Sequence, residues 1–125
     1  LKGFLANRFG DAVMTLERIG GGQSNPTYFV DYGADRMVLR KKPAGPILRG
    51  AHAVDREFRV LEALAPTNVP VPGPVLFHDG VEPLGTPFYL MERLDGRVFH
   101  DCSLPGLVPA ERCAIYFGMA EAMAK

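Results

Sequence analysis

Two periods organise this chain, one of about two residues and one of about three and a half. The runs "VMTLERI" (13–19), "TYFVDY" (27–32) and "RMVLRK" (36–41) alternate or are rich in β-branched and aromatic residues, which predicts three strands. "GAD" at Gly33 to Asp35 carries turn chemistry, so the second and third strands form a hairpin. Three strands in succession without a long crossover imply an antiparallel meander. "AHAVDREFRVLEALA" then sets Val54, Phe58, Leu61 and Ala65 at i, i+4, i+7 and i+11, the apolar face of an amphipathic helix with Asp55, Arg56 and Arg59 outside. The prolines of "PTNVPVPGP" end it, and "VLFH" (75–78) and "FYLMER" (88–93) predict two further strands. A short helix with Leu1, Leu5 and Phe9 on one side opens the chain and stops at Gly10. A last helix starts at Pro109, with Cys113, Phe117, Ala120 and Ala124 as its stripe. The order of elements defines an α+β fold.

Composition narrows what such a fold can do. With 125 residues, 47% hydrophobic and 22% charged, the chain builds one compact domain with a real core. Fourteen basic and fourteen acidic residues cancel, so no global field draws it to nucleic acid or to an anionic membrane, and any anion site is local. Cys102 and Cys113 have no second pair and no His at ligand spacing, which predicts neither a disulfide nor a zinc framework and points to a reduced, cytoplasmic setting. His52, His78 and His100 stand singly and read as surface or packing residues. No run resembles a signal peptide or reaches transmembrane length. The absence of an initial Met and the final "EAMAK" inside a helical pattern suggest a piece of a longer protein.

The stretch "IGGGQSNPTYFVDYG" (19–33) raises the chemical question. A Walker loop requires Gly-Lys-Ser/Thr, and the chain has no Gly-Lys pair. A dinucleotide fingerprint requires a third glycine where Asn25 stands and a helix where Pro26 and a strand follow. A glycine loop at the tip of two strands, folding over nucleotide phosphates, fits the flanking elements, as does an idle glycine turn. The following strand separates these. Its period of two puts Val38, Arg40 and Lys42 on one face, a small aliphatic residue for a base and a cation for phosphates. Arg offers a planar fork where Lys offers a point charge. On the helix that follows, Glu57 lies about 60° from Val54 at about 100° per residue, on the inward half. A carboxylate there needs a cationic partner, and Arg40 is the natural one.

At this point the chain resembles the aminoglycoside phosphotransferase and choline kinase superfamily, and within it the branch joined to, or working beside, acyl-CoA dehydrogenases. The likeness rests on "GGGQSNPTYFV", "MVLRKKPAG", "DREFRVLEAL", "VPVPGPVLFHD", "GTPFYLMERLDGRVF" and "SLPGLVPAERCAIYFGMAEAMA". It implies a protein-kinase-like amino-terminal lobe with a five-stranded antiparallel sheet and one main helix, spanning residues 1–94. Residues 95–125 would be the hinge exit and the first helix of the second lobe. ATP with Mg2+ and transfer of the γ-phosphoryl group to the hydroxyl of a small molecule are implied likewise. By position, the phosphate-covering loop is Gly20, Gly21, Gly22, Gln23, Ser24 and Asn25, with Arg40 as phosphate cation and Glu57 as its ion-pair partner. Val38 and Met91 line the adenine pocket, Met91 at the gatekeeper position, and the backbone of Glu92, Arg93 and Leu94 faces the adenine edge. The side chains of Glu92 and Arg93 are expected in solvent.

The superfamily's catalytic loop pairs an Asp base with an Asn magnesium ligand five residues on, and no Asp of this chain has that Asn. Catalytic and metal-binding residues are therefore expected outside it, and the chain alone is expected to be inactive. Asp31-Tyr32-Gly33 and His78-Asp79-Gly80 imitate catalytic motifs by letters, but the first precedes the third strand and closes a hairpin, and the second lies between strands. A non-catalytic, kinase-derived module that binds a nucleotide or a protein, and an α+β interaction domain with an idle glycine turn, are the competing readings.

Overall fold

The computed structural model describes residues 1–20, 25–46 and 53–125. Within them the chain runs α1 (Lys2–Phe9), β1 (Met14–Arg18), β2 (Thr27–Tyr32), β3 (Asp35–Lys41), α2 (Val54–Leu64), β4 (Pro74–His78), β5 (Phe88–Glu92) and α3 (Pro109–Met123). The five strands form one antiparallel sheet in the order β1-β2-β3-β5-β4. The predicted hairpin and meander are present, and β5 inserts between β3 and β4. Gly33 opens the two-residue link between β2 and β3 at φ 61°, a conformation glycine adopts without steric cost, and its N–H donates to the Val13 carbonyl at 2.9 Å.

Alternation along the strands gives the sheet two unlike faces. Val30, Tyr32, Met37, Leu39, Leu76, Phe88 and Leu90 point to one face and bury Leu5 of α1 among them. Each side chain fully removed from water there contributes about 1.5–3 kcal/mol. Phe4 packs beside Leu5, its ring edge-on to Phe88 at 5.7 Å and to His78 at 4.8 Å. His78 is thus a packing residue, as its isolation in the sequence suggested. Phe9, expected with Leu5, is 44% exposed: it is the last residue of the helix, where Gly10 at φ 87° turns the chain away.

Helix α2 covers the other face. Val54 and Phe58 are buried against Tyr89, with Leu61, Phe77 and Met91 beside them. Asp55 and Glu57 occupy the first turn, where negative charge complements the helix dipole. Asp55 also meets Arg59 one turn on at 2.7 Å, and that guanidinium holds its carboxyl below the usual range. Helix α3 starts at Pro109 as expected but buries none of its residues, so Cys113, Phe117 and Ala120 lie on an open face. Cys102 and Cys113 are both free and exposed. No helix among the described residues is long and apolar enough to cross a membrane.

Candidate functional site

The site grows from two cross-strand rows on the α2 face. Thr27, Arg40, Tyr89 and Phe77 are successive partners across β2, β3, β5 and β4, and Phe29, Val38 and Met91 form the next row. Cross-strand partners share a face, so Arg40 and Tyr89 project together towards α2, where one helical turn past Val54 brings Glu57 opposite them.

Three side chains converge on that carboxylate, two of them as hydrogen-bond donors. Arg40 Nε lies 3.1 Å from Glu57 Oε2. The Tyr89 hydroxyl donates to the same oxygen at 2.9 Å, and the Asn25 amide donates to Oε1 at 2.9 Å. The Arg40 contact is an ion pair without the alignment of a hydrogen bond, since its buried Nε has no hydrogen-bond partner. The two charged side chains are about one-third exposed, whereas Asn25 and Tyr89 are buried. Burial raises the Tyr89 pKa above the ordinary tyrosine value, and the bond to Glu57 adds to the shift. The phenol therefore keeps its proton and remains a donor. Held at both oxygens, Glu57 is fixed in direction, and Arg40 is paired with it. Among the described residues the guanidinium's terminal nitrogens make no hydrogen bond, and Arg40 lines the cavity beside α2.

The predicted partnership of Arg40 and Glu57 is formed. Asn25, placed in the sequence-derived phosphate loop, turns its side chain to the helix carboxylate. Tyr89 was not anticipated, although "FYLMER" puts it two residues before Met91 and hence on the same face. Gly20 lies exposed just beyond β1, with open space where a Cβ would stand. Gly21, Gly22, Gln23 and Ser24 lie outside the described residues, as does His52. Val38 is buried, and Met91 stands in the wall of a cavity of about 500 Å³ between the sheet and α2, lined also by Arg40, Arg56, Glu57, Leu61 and Tyr89. Arg56, expected on the outer side of α2, thus reaches this cavity's rim.

The hinge segment departs from expectation in one respect. Glu92 is exposed, and its carboxylate accepts the Gly73 N–H at 3.1 Å. Arg93 is not in solvent: its guanidinium carbon lies 3.7 Å from the centroid of the Phe29 ring, Nη1 is 3.5 Å from Asp31 Oδ1, and the side chain is 22% exposed. The reason is parity, since Arg93 follows Met91 by two and leaves the sheet on the same face, where an aromatic ring attracts the cation. The main-chain N–H of Glu92 donates to the Gly73 carbonyl at 2.8 Å and that of Arg93 to the Arg36 carbonyl at 3.1 Å, so both serve the sheet. Leu94 is exposed. Asp95 closes the segment with two hydrogen bonds from Arg36, at 2.6 and 3.0 Å, and that guanidinium holds its carboxyl below the usual range. Among the described residues no three His, Cys, Asp or Glu side chains cluster to hold a metal ion.

An antiparallel five-stranded sheet with a strand-borne cation paired to a helix-borne carboxylate defines a kinase-like phosphotransferase fold. The chain belongs to the phosphotransferase enzyme family, whose sequence profile matches residues 15–125. It is 46% identical to human acyl-CoA dehydrogenase family member 11 over 125 residues, and 45% identical to mouse acyl-CoA dehydrogenase family member 10 over the same length. All of this chain is covered in each case, but it spans only 16% and 12% of those relatives. Among solved structures, a candidate aminoglycoside phosphotransferase of Ralstonia eutropha JMP134 matches with a TM-score of 0.78 at 36% identity, over 98% of this chain and 35% of the other.

Proposed function

We propose that this chain is the ATP-binding lobe of a small-molecule kinase that transfers the γ-phosphoryl group of ATP to a substrate hydroxyl. The observation that carries the reading is Arg40, held by Glu57 on the sheet face that follows the glycine loop. Phosphoryl transfer needs positioning and charge stabilisation far more than covalent participation by the protein. Arg40 supplies the charge, with a planar fork suited to two phosphate oxygens, and Glu57, Tyr89 and Asn25 fix its direction. Val38 and Met91 offer the apolar surface for adenine. Magnesium, when bound, neutralises charge between the phosphates, but its ligands and the base belong to residues beyond this lobe, so residues 1–94 bind and 95–125 lead to the catalytic half. With only half the clamp, the chain alone is expected to show little or no turnover.

The names of the relatives suggest a functional link to an acyl-CoA dehydrogenase, and the phosphate acceptor proposed with it is a hydroxyl on an acyl chain. The test is ATP-dependent phosphorylation of a hydroxyacyl substrate by the protein that carries this lobe with the remaining phosphotransferase domain. Arg40→Ala lowers that rate by two orders of magnitude or more, in line with the loss of charge stabilisation in a low-dielectric site; an unchanged rate overturns the assignment.

A further inference from the structure

We propose that Arg93 is the nucleobase-stacking residue of this lobe, its guanidinium lying on Phe29 and presenting its outer face to a purine. The inference rests on the reading of this sheet face as a nucleoside triphosphate site.

Location is the first support. Phe29, Val38 and Met91 are successive partners across β2, β3 and β5, and Arg93 stands two residues beyond Met91. The base contacts expected of Val38 and Met91 are therefore those of a ligand lying against the surface that Arg93 has joined. Restraint is the second. Stacking on Phe29 at 3.7 Å and the Asp31 carboxylate at 3.5 Å hold the guanidinium from two directions, and the Arg93 N–H is bonded to Arg36. The next residue, Leu94, is exposed, so the inward-held chain ends at Arg93.

Chemistry is the third. A guanidinium is planar and weakly hydrated, and it stacks through both faces; one face lies on Phe29, and the side chain is 22% exposed. With the phenyl ring covered, a base entering this surface meets the cationic plane and not bare hydrocarbon. Displacing the plane would forfeit its ring contact and its ion pair together, whereas stacking on it retains both and adds a third layer.

Equilibrium binding of ATP and of inorganic tripolyphosphate, which has no base, to the full chain separates base from phosphate recognition. Arg93→Ala is expected to weaken ATP about tenfold while leaving tripolyphosphate unchanged. Arg93→Lys, which keeps charge near Asp31 but has no plane, is expected to weaken ATP similarly. Arg40→Ala weakens both ligands. ATP binding that is unchanged or tighter in Arg93→Ala overturns the proposal, because the side chain is then filler or a plug. Equal loss of both ligands overturns it too, because Arg93 is then a phosphate cation. Should Arg93→Ala fail to fold by circular dichroism, Arg93→Lys decides on the same readout. A wild-type chain that binds neither ligand overturns the ATP-lobe reading itself, which is a different outcome from failure of the Arg93 variants alone.

Discussion

The two faces of the sheet are cut from the same strands, and comparing them shows how the chain separates a dry core from a face of oriented polar groups. On β3, Met37 and Leu39 point one way while Val38 and Arg40 point the other; on β5, Phe88 and Leu90 oppose Tyr89 and Met91. The α1 face is a closed, mainly apolar core whose one buried phenol, Tyr32, is tied to the Gly10 carbonyl and which, among the described residues, holds no ion pair. The α2 face holds two ion pairs, a buried phenol, a cation on an aromatic ring and an open cavity. Charges half-buried there are weak contributors to folding, because desolvation offsets much of their attraction. Their consequence is orientation.

That division can be broken by substitution, and the largest effect belongs to the dry face. Phe88→Ala removes a fully buried ring and costs about 3–5 kcal/mol, read as a lowered midpoint in denaturant unfolding. The opposite face should respond in affinity. Arg40→Ala weakens ATP about 10- to 100-fold while changing unfolding free energy by about 1 kcal/mol or less, checked by calorimetric titration beside chemical unfolding. A variant that lost both equally would erase the distinction. Tyr89→Phe comes next: it removes one buried hydrogen bond, worth about 1 kcal/mol. Because the folded-state pKa of Tyr89 is raised, its contribution is complete below the ordinary tyrosine value and declines as pH rises past about 10. The alkaline limb of stability against pH is therefore shallower in Tyr89→Phe. The smallest effect is Asp95→Asn, which loosens an exposed pair; its melting temperature stays within error of wild type, and the two proteins converge as acid protonates Asp95.

How much of this was legible in the sequence follows from the range of each interaction. Strand parity and helical angle are local, so Arg40, Glu57 and their facing positions could be read directly. Tyr89 was equally local but was absorbed into a strand by its aromatic propensity. The place of β5 between β3 and β4 is topological, and no short-range pattern encodes it. The meeting of Arg93 with Phe29 depends on that place, because β3 must lie beside β5 and β2 beside β3 before the two can touch. Asn25 was assigned by its neighbours in the loop, whereas its amide follows the carboxylate of a distant helix.

The Arg36–Asp95 pair joins residues 59 positions apart through two short hydrogen bonds. Considered mechanically, it is a strut between the origin of the connector to α3 and the start of β3. Arg40 lies four residues further along that strand, about 13 Å at the rise of an extended chain. The connector is thus tied to the strand that bears Arg40 by a contact that, being exposed, can form or release at little cost.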